Sequence, residues 1–179
     1  MDDSFTVVFS TAYAWQSGII RFMCHSPFSH CDIMLPEPKP HGMLGASDPG
    51  GVMLRTHDYQ EFKTWHQATI RTPCARDVVA LVQSQIGKPF DDVAMKQVLS
   101  DAPRDWKLPH AWFCSELIAW ACEAAGMFRI AVPKNRVTPA DLLLLLNHWI
   151  DPVEFWNTKR PMENIPPDLV PLVKASSPR

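Results

Sequence analysis

The chain has 179 residues, 46% of them apolar, with nine Phe and seven Trp, which is material for one buried core and therefore for one domain. A formal net charge of −2 with no basic cluster excludes the electrostatic footprint of a nucleic-acid or anionic-lipid binder. The longest apolar run, Leu142 to Leu146, is far below the roughly 20 residues that a membrane span requires.

The start, Met1-Asp2-Asp3-Ser4, is acidic where a secretory signal is basic, so cytoplasmic synthesis is expected. Phe5 to Phe9 is β-branched and aromatic and predicts a strand. Trp15 to Met23 carries apolar residues at helical spacing until Ser26-Pro27 interrupts it. Cys31 to Leu35 predicts a second strand, closed by Pro36-Glu37-Pro38-Lys39-Pro40. Met43 to Ala46 and Val52 to Arg55 return antiparallel around Asp48-Pro49-Gly50-Gly51. His66 to Arg71 alternates and adds a further strand, for a sheet of about four or five members.

From Ala75 the period becomes helical. Val78, Val79, Leu81, Val82 and Ile86 form one apolar stripe, and Gly87 with Pro89 stops it. Asp91 to Leu99 predicts a short helix and Asp101 to Pro109 a connection. Trp112 to Ala125 predicts a strong helix stopped by Gly126. Thr138-Pro139-Ala140-Asp141 opens another, with Thr138 as N-cap, Pro139 in the first turn and Asp141 at the positive dipole end. A single domain over residues 1–150 is therefore expected, followed by a Pro-rich extension, 151–179, lying over the surface with a frayed end.

Five cysteines at 24, 31, 74, 114 and 122 make an odd set without a framework, which points to reduced thiols. Cys24-His25 and His30-Cys31 raise the question of zinc, but there is no CxxC pair and no second paired motif, so no metal and no cofactor are expected. Cys114 stands one turn before Leu117 and Ile118 on the apolar face of its helix. Free N–H groups and the positive dipole end in that first turn favour a thiolate and can bind an oxyanion. The helix alone would equally suit a small buried hydrophobe. His30 sits at the mouth of the Cys31 to Leu35 strand, where a base can emerge at a strand end. His25, His57, His66, His110 and His148 are the other candidates.

Four segments carry a family resemblance. Ser29-His30-Cys31-Asp32-Ile33-Met34-Leu35 resembles the S-H-hydrophobic-x-I-hydrophobic strand of circularly permuted NlpC-type papain-like hydrolases, the YiiX-like group. Trp112-Phe113-Cys114-Ser115-Glu116-Leu117-Ile118 resembles the helix start that carries their nucleophile. Ile86-Gly87-Lys88-Pro89-Phe90-Asp91 and Val137-Thr138-Pro139-Ala140-Asp141-Leu142 resemble two further motifs in the same order. The resemblance implies an α+β papain-like fold in which a small antiparallel sheet of about five strands packs against helices, with the nucleophile helix over the sheet. It also implies acyl transfer, with Cys114 as nucleophile and His30 as base.

The chain departs from the pattern in one respect. Relatives place a Glu in a V-(L/I)-E-A strand after the His strand, where this chain has Met43-Leu44-Gly45-Ala46, while position 32, often Gly in relatives, is Asp. Asp32 shares a strand face with His30 and is the expected orienter of the imidazole, with His41 and Ser47 as rivals. The implied substrate is a peptide or acyl group. One reading is an amidase or peptidase acting on a peptidoglycan stem peptide or similar bacterial amide, delivered to the cell envelope by a phage or secretion system. The others are a lipid-directed thioesterase or acyltransferase like the lecithin:retinol acyltransferase relatives, and a silent binding or assembly protein.

Overall fold

The β-branched and aromatic run at the start becomes the long strand β1 (Ser4–Ala12), and every other strand is arranged around it. The structure is a computed structural model that describes residues 3–13, 15–23, 26–36, 42–92, 110–150 and 155. Helix α1 (Trp15–Met23) leads from β1 to β2 (His30–Leu35), after which β3 (Gly42–Ser47), β4 (Gly51–Thr56) and β5 (Phe62–Arg71) complete a five-stranded sheet in the order β4-β3-β2-β1-β5. All the pairings are antiparallel. Among the described residues three α-helices come next: α2 (Ala75–Gln83), α3 (Cys114–Ala124) and α4 (Pro139–Leu146). The molecule is thus α+β, as expected from strands that precede most of the helices in the chain.

The two sheet faces differ in what covers them. Val7, Phe9, Cys31, Ile33, Leu44, Ala46, Ala68 and Ile70 share one core with Val78 and Val82 of α2 and with Cys114, Leu117, Ile118, Ala121 and Cys122 of α3. The other face carries a smaller cluster, in which Val8, Met43 and Trp65 pack with Met34, Tyr59 and Phe62. The two-residue period of a strand thus sorts β2 into Cys31 and Ile33 toward α3, and His30 and Asp32 toward the second face.

Three expectations need correction. Ile86 does not extend the buried stripe of α2 but is 51% exposed, because the helix ends at Gln83 and the turns to Gly87 rotate the backbone off its periodicity. The last strand begins at Phe62 rather than His66, since Trp65 and Thr64 continue the pairing with Ser10 and Thr11 and Phe62 pairs with Ala12 beyond a bulge at Thr11/Ala12. The core also reaches past residue 150. Phe155, the one described residue of the expected surface extension, is 2% exposed, stacks on His66 at 5.3 Å and meets Phe9 at 5.9 Å. The rest of 151–179, and the expected helix and connection from residue 93 to 109, lie outside the described residues.

Candidate active site

His30 is the first residue of β2 and Asp32 the next on the same face, so the imidazole lies at the sheet end while its Nε2 turns back to Asp32 Oδ2 at 2.9 Å. Asp32 is 1% exposed and is held from three directions. Tyr59 donates its hydroxyl to Oδ2 at 2.9 Å and Arg55 donates Nη2 to Oδ1 at 2.8 Å. The Arg55 guanidinium lies 4.5 Å from the centre of the Tyr59 ring, a cation–π contact that shares the cost of burying it. Its Nε and Nη1 have no hydrogen-bond partner among the described residues, so the Asp32 carboxylate is its main compensation.

Arg55 and Asp32 belong to β4 and β2, two ladder spacings apart, with β3 between them. Gly45 of β3 makes the contact possible. It lies one step along from the Ile33↔Leu44 pair, and a Cβ there would collide with Asp32 Oδ1 and approach Asp32 Cγ to 3.2 Å. Position 45 carries no side chain, and the Asp32 carboxylate occupies the space.

Cys114 opens α3 directly after Phe113, which is extended and caps the helix. Glu116 accepts the Phe113 N–H at 3.3 Å, and Ser115 donates its hydroxyl to the Val137 carbonyl at 2.6 Å. Both are buried. Thr138 in turn caps α4 by accepting the Asp141 N–H, while Asp141 accepts the Thr138 N–H. The Gly87 to Asp91 segment braces the other side of Cys114's helix start. Val52 donates to the Lys88 carbonyl at 2.9 Å, and Trp112 donates to the Pro89 carbonyl at 3.1 Å. Gly51, at φ +75°, must be glycine, because any Cβ would strike Lys88 O. The residues that flank Cys114 in the sequence motifs therefore fix its position, not its chemistry.

Cys114 is 1% exposed, yet it lines a cleft of about 240 Å³ together with His30. Ala12, Ile20, Phe90 and Phe113 supply its apolar wall, and Ser17, Ser29, Ser47, Asp48 and Gln60 its polar wall. Burial works against a charged Cys114. Hydrogen bonds from the Cys31 thiol and backbone N–H, and the charge and hydrogen bond of His30, outweigh it and hold the Cys114 thiol well below its ordinary range. Burial also opposes charge on His30, but the Asp32 carboxylate and the Cys114 sulfur push its pKa up to about 10. Asp32 is likewise drawn below its ordinary value despite burial, by His30 first and then by Arg55 and Tyr59. The directions of these shifts favour a thiolate–imidazolium pair backed by a buried carboxylate. Since Nε2 is engaged by Asp32, Nδ1 is the ring nitrogen available to Cys114.

The geometry brings Cys114, His30 and Asp32 together. Of the rivals to Asp32, Ser47 lines the cleft, and His41 lies outside the described residues, as do Cys24 and His25. His66 belongs to an aromatic cluster with Phe28 and Phe155, and its Nδ1 lies 3.3 Å from the Phe155 carbonyl. His57 is buried, while His148 is exposed and packs edge-on to Trp149. His110 is exposed and takes a positive φ of 68°. Cys122, deeper in α3, has its thiol pushed up to about 12 by burial and by Cys74, the opposite of Cys114. Sequence reasoning missed three residues of the site: Arg55, Tyr59 and Cys31. The signal for Arg55 was a cation in an otherwise apolar strand two hairpins along from Asp32, and for Cys31 a thiol adjacent to His30.

No protein-family model matches the chain, and no curated protein does. Solved structures do. One is the crystal structure of the metalloprotein YiiX from Escherichia coli O157:H7, a DUF1105 protein. It has a TM-score of 0.51 at 17% identity, over 72% of this chain and 69% of that one. The two share a fold. The word metalloprotein belongs to that neighbour. In this chain no group of three or more His, Cys, Asp or Glu side chains among the described residues could hold a metal ion. The site itself is a poor match for one, because Arg55 already neutralises Asp32 at 2.8 Å and His30 Nε2 and Tyr59 occupy its other oxygen. No helix among the described residues is long and apolar enough to cross a membrane.

Proposed function

We propose that the chain is a cysteine-dependent hydrolase of the circularly permuted papain-like type, cleaving an amide through an acyl-enzyme with Cys114 as nucleophile, His30 as base and Asp32 as orienter. The observation that carries this reading is the single imidazole that bridges a buried carboxylate on one side and a cysteine at a helix start, open to a cleft, on the other. In the first half-reaction the Cys114 thiolate attacks the carbonyl carbon. The oxyanion forms against the backbone N–H groups at the start of α3, and His30 Nδ1–H protonates the departing amine. Neutral His30 then draws a proton from water, the hydroxide attacks the thioester, and the acid leaves as Cys114 returns to thiolate. Asp32 holds the ring in the tautomer that keeps its second proton on Nε2.

The polar wall of Ser29, Ser47, Asp48 and Gln60 supports a peptide substrate such as a peptidoglycan stem peptide, since hydroxyls and amides match peptide N–H and C=O groups. The apolar wall of Ile20, Phe90 and Phe113 is the observation that favours the second reading, a thioesterase or acyltransferase directed at lipid acyl groups. An electrophilic thiol probe at neutral pH, read by peptide mass spectrometry, tests the nucleophile. Cys114→Ala should abolish labelling and Cys122→Ala should retain it. Labelling that survives Cys114→Ala, or that disappears with Cys122→Ala, overturns the assignment. Turnover of muropeptides against fatty-acyl thioesters then separates the two substrate classes.

A further inference from the structure

In the catalytic reading Cys31 only helps to lower the pKa of the Cys114 thiol and takes no part in the reaction. It is wholly buried on the face of β2 that points to α3, beside His30 in sequence but on the opposite side of the strand. Cys31 and Cys114 belong to one buried cluster, Cys31 on the face of β2 that α3 covers and Cys114 at the start of that helix, and each thiol acts on the other's ionisation. Both cysteines are free. Cys114 lines the cleft, whereas Cys31 lies behind it with no exposed surface.

We propose that Cys31 is a resolving thiol for Cys114, and that peroxide converts the pair into a reversible Cys31–Cys114 disulfide that switches the site off. The Cys114 thiolate attacks one oxygen of hydrogen peroxide, the O–O bond breaks, and Cys114 becomes a sulfenic acid. The released hydroxide takes the proton of the His30 imidazolium and leaves as water. The Cys31 sulfur then attacks the Cys114 sulfur, the S–O bond breaks, and the departing hydroxide leaves as a second water with the Cys31 proton. Peroxide gains two electrons, and each sulfur gives up one. A dithiol reductant reverses the change by thiol–disulfide exchange. The arrangement spares Cys114 from the irreversible sulfinic and sulfonic states that an accessible low-pKa thiolate otherwise reaches. Cys31 acts here at close quarters, where intramolecular condensation outcompetes a second peroxide.

The test uses the full chain, treated with one equivalent of hydrogen peroxide, then alkylated after denaturation and digested. The expected product is a linked peptide pair containing Cys31 and Cys114, lighter by two hydrogens and released by dithiothreitol, with probe labelling of Cys114 lost on oxidation and restored on reduction. In Cys31→Ser the same treatment should instead give a dimedone-reactive Cys114 that passes to sulfinic acid and no longer recovers. Three results overturn the proposal: a sulfinic Cys114 in the wild type with Cys31 still free to alkylate, a Cys114 disulfide to any other cysteine, or full recovery in Cys31→Ser. The wild-type crosslink decides the matter whether or not the variant folds. Because it is read as a mass, it is independent of whether the protein hydrolyses anything.

Discussion

Replacing Asp32 by Asn keeps the shape of the side chain and removes its charge, and the hydrogen bonds around it set the consequences. Oδ2 accepts from both His30 and Tyr59, and Oδ1 accepts from Arg55. If the amide oxygen takes the Oδ2 position, its NH2 faces the Arg55 donor at a site built for 2.8 Å contact. If it takes the Oδ1 position, the NH2 faces His30 Nε2, which must then accept, sending the single ring proton of the neutral imidazole to Nδ1. Each orientation sacrifices one partner, and the second also inverts the tautomer at the base. A neighbouring opposite charge typically moves a pKa by about one to three pH units. His30 should therefore fall from about 10 to roughly 7 to 9, since the Cys114 thiolate still supports it. At pH 9 the imidazolium fraction then drops from about nine tenths to between about one half and one hundredth.

The assay is the pH profile of Cys114 alkylation and of turnover. The basic limb should move to lower pH by at least one unit, with a rate loss of at least about tenfold. Leaving Arg55 buried without its carboxylate costs about 3–5 kcal/mol in the worst case, which is on the order of 10 °C in Tm for a chain of this size. Rates should accordingly be measured well below that melting range. A basic limb and a rate equal to wild type would show that Asp32 does not act on His30.

Gly45→Ala should reproduce much of the Asp32→Asn phenotype while leaving every charge in place, because the new methyl must displace the Asp32 carboxylate. An unchanged pH profile in Gly45→Ala would mean that the carboxylate can move without consequence. Phe155→Ala should cost about 3–5 kcal/mol, the usual loss for a fully buried phenylalanine, measured by urea denaturation. A loss below about 1 kcal/mol would refute the docking of this residue against Phe9 and His66. Ser115→Ala should lower stability by about 1–3 kcal/mol by leaving the buried Val137 carbonyl without its donor. It should also slow Cys114 alkylation, because the helix start is no longer tied to the α4 entry. Alkylation at the wild-type rate would confine Ser115 to stability.

Much of the site was legible because its parts are local. His30 and Asp32 are two residues apart, and the two-residue period of a strand puts them on one face whatever the rest of the chain does. Cys114 at a helix start follows from helical periodicity and the Gly126 stop, and Gly126 does end α3. Thr138, Pro139 and Asp141 read as a cap, and the cap is present. The failures are non-local. Ile86 fits a helical stripe on paper, and nothing in its own neighbourhood announces that α2 stops three residues earlier. Phe155 sits between prolines in a segment whose composition reads as surface, and only the aromatic pocket of Phe9, Phe28 and His66 makes it core.

By itself the sequence determined most of the strand and helix order and put Asp32 on the same strand face as His30, both consequences of backbone periodicity over a few residues. Only the tertiary structure decided what surrounds that pair. The sheet order β4-β3-β2-β1-β5 brings Arg55 across a side-chain-free Gly45 to hold Asp32, and the docking of α3 on the opposite face lays Cys114 over both His30 and Cys31. The physical reason is that a strand assigns its residues to two faces, while which partner waits on each face is set by packing between elements far apart in the chain. The same strand thus offers an imidazole to Cys114 from one residue and a second thiol from the next.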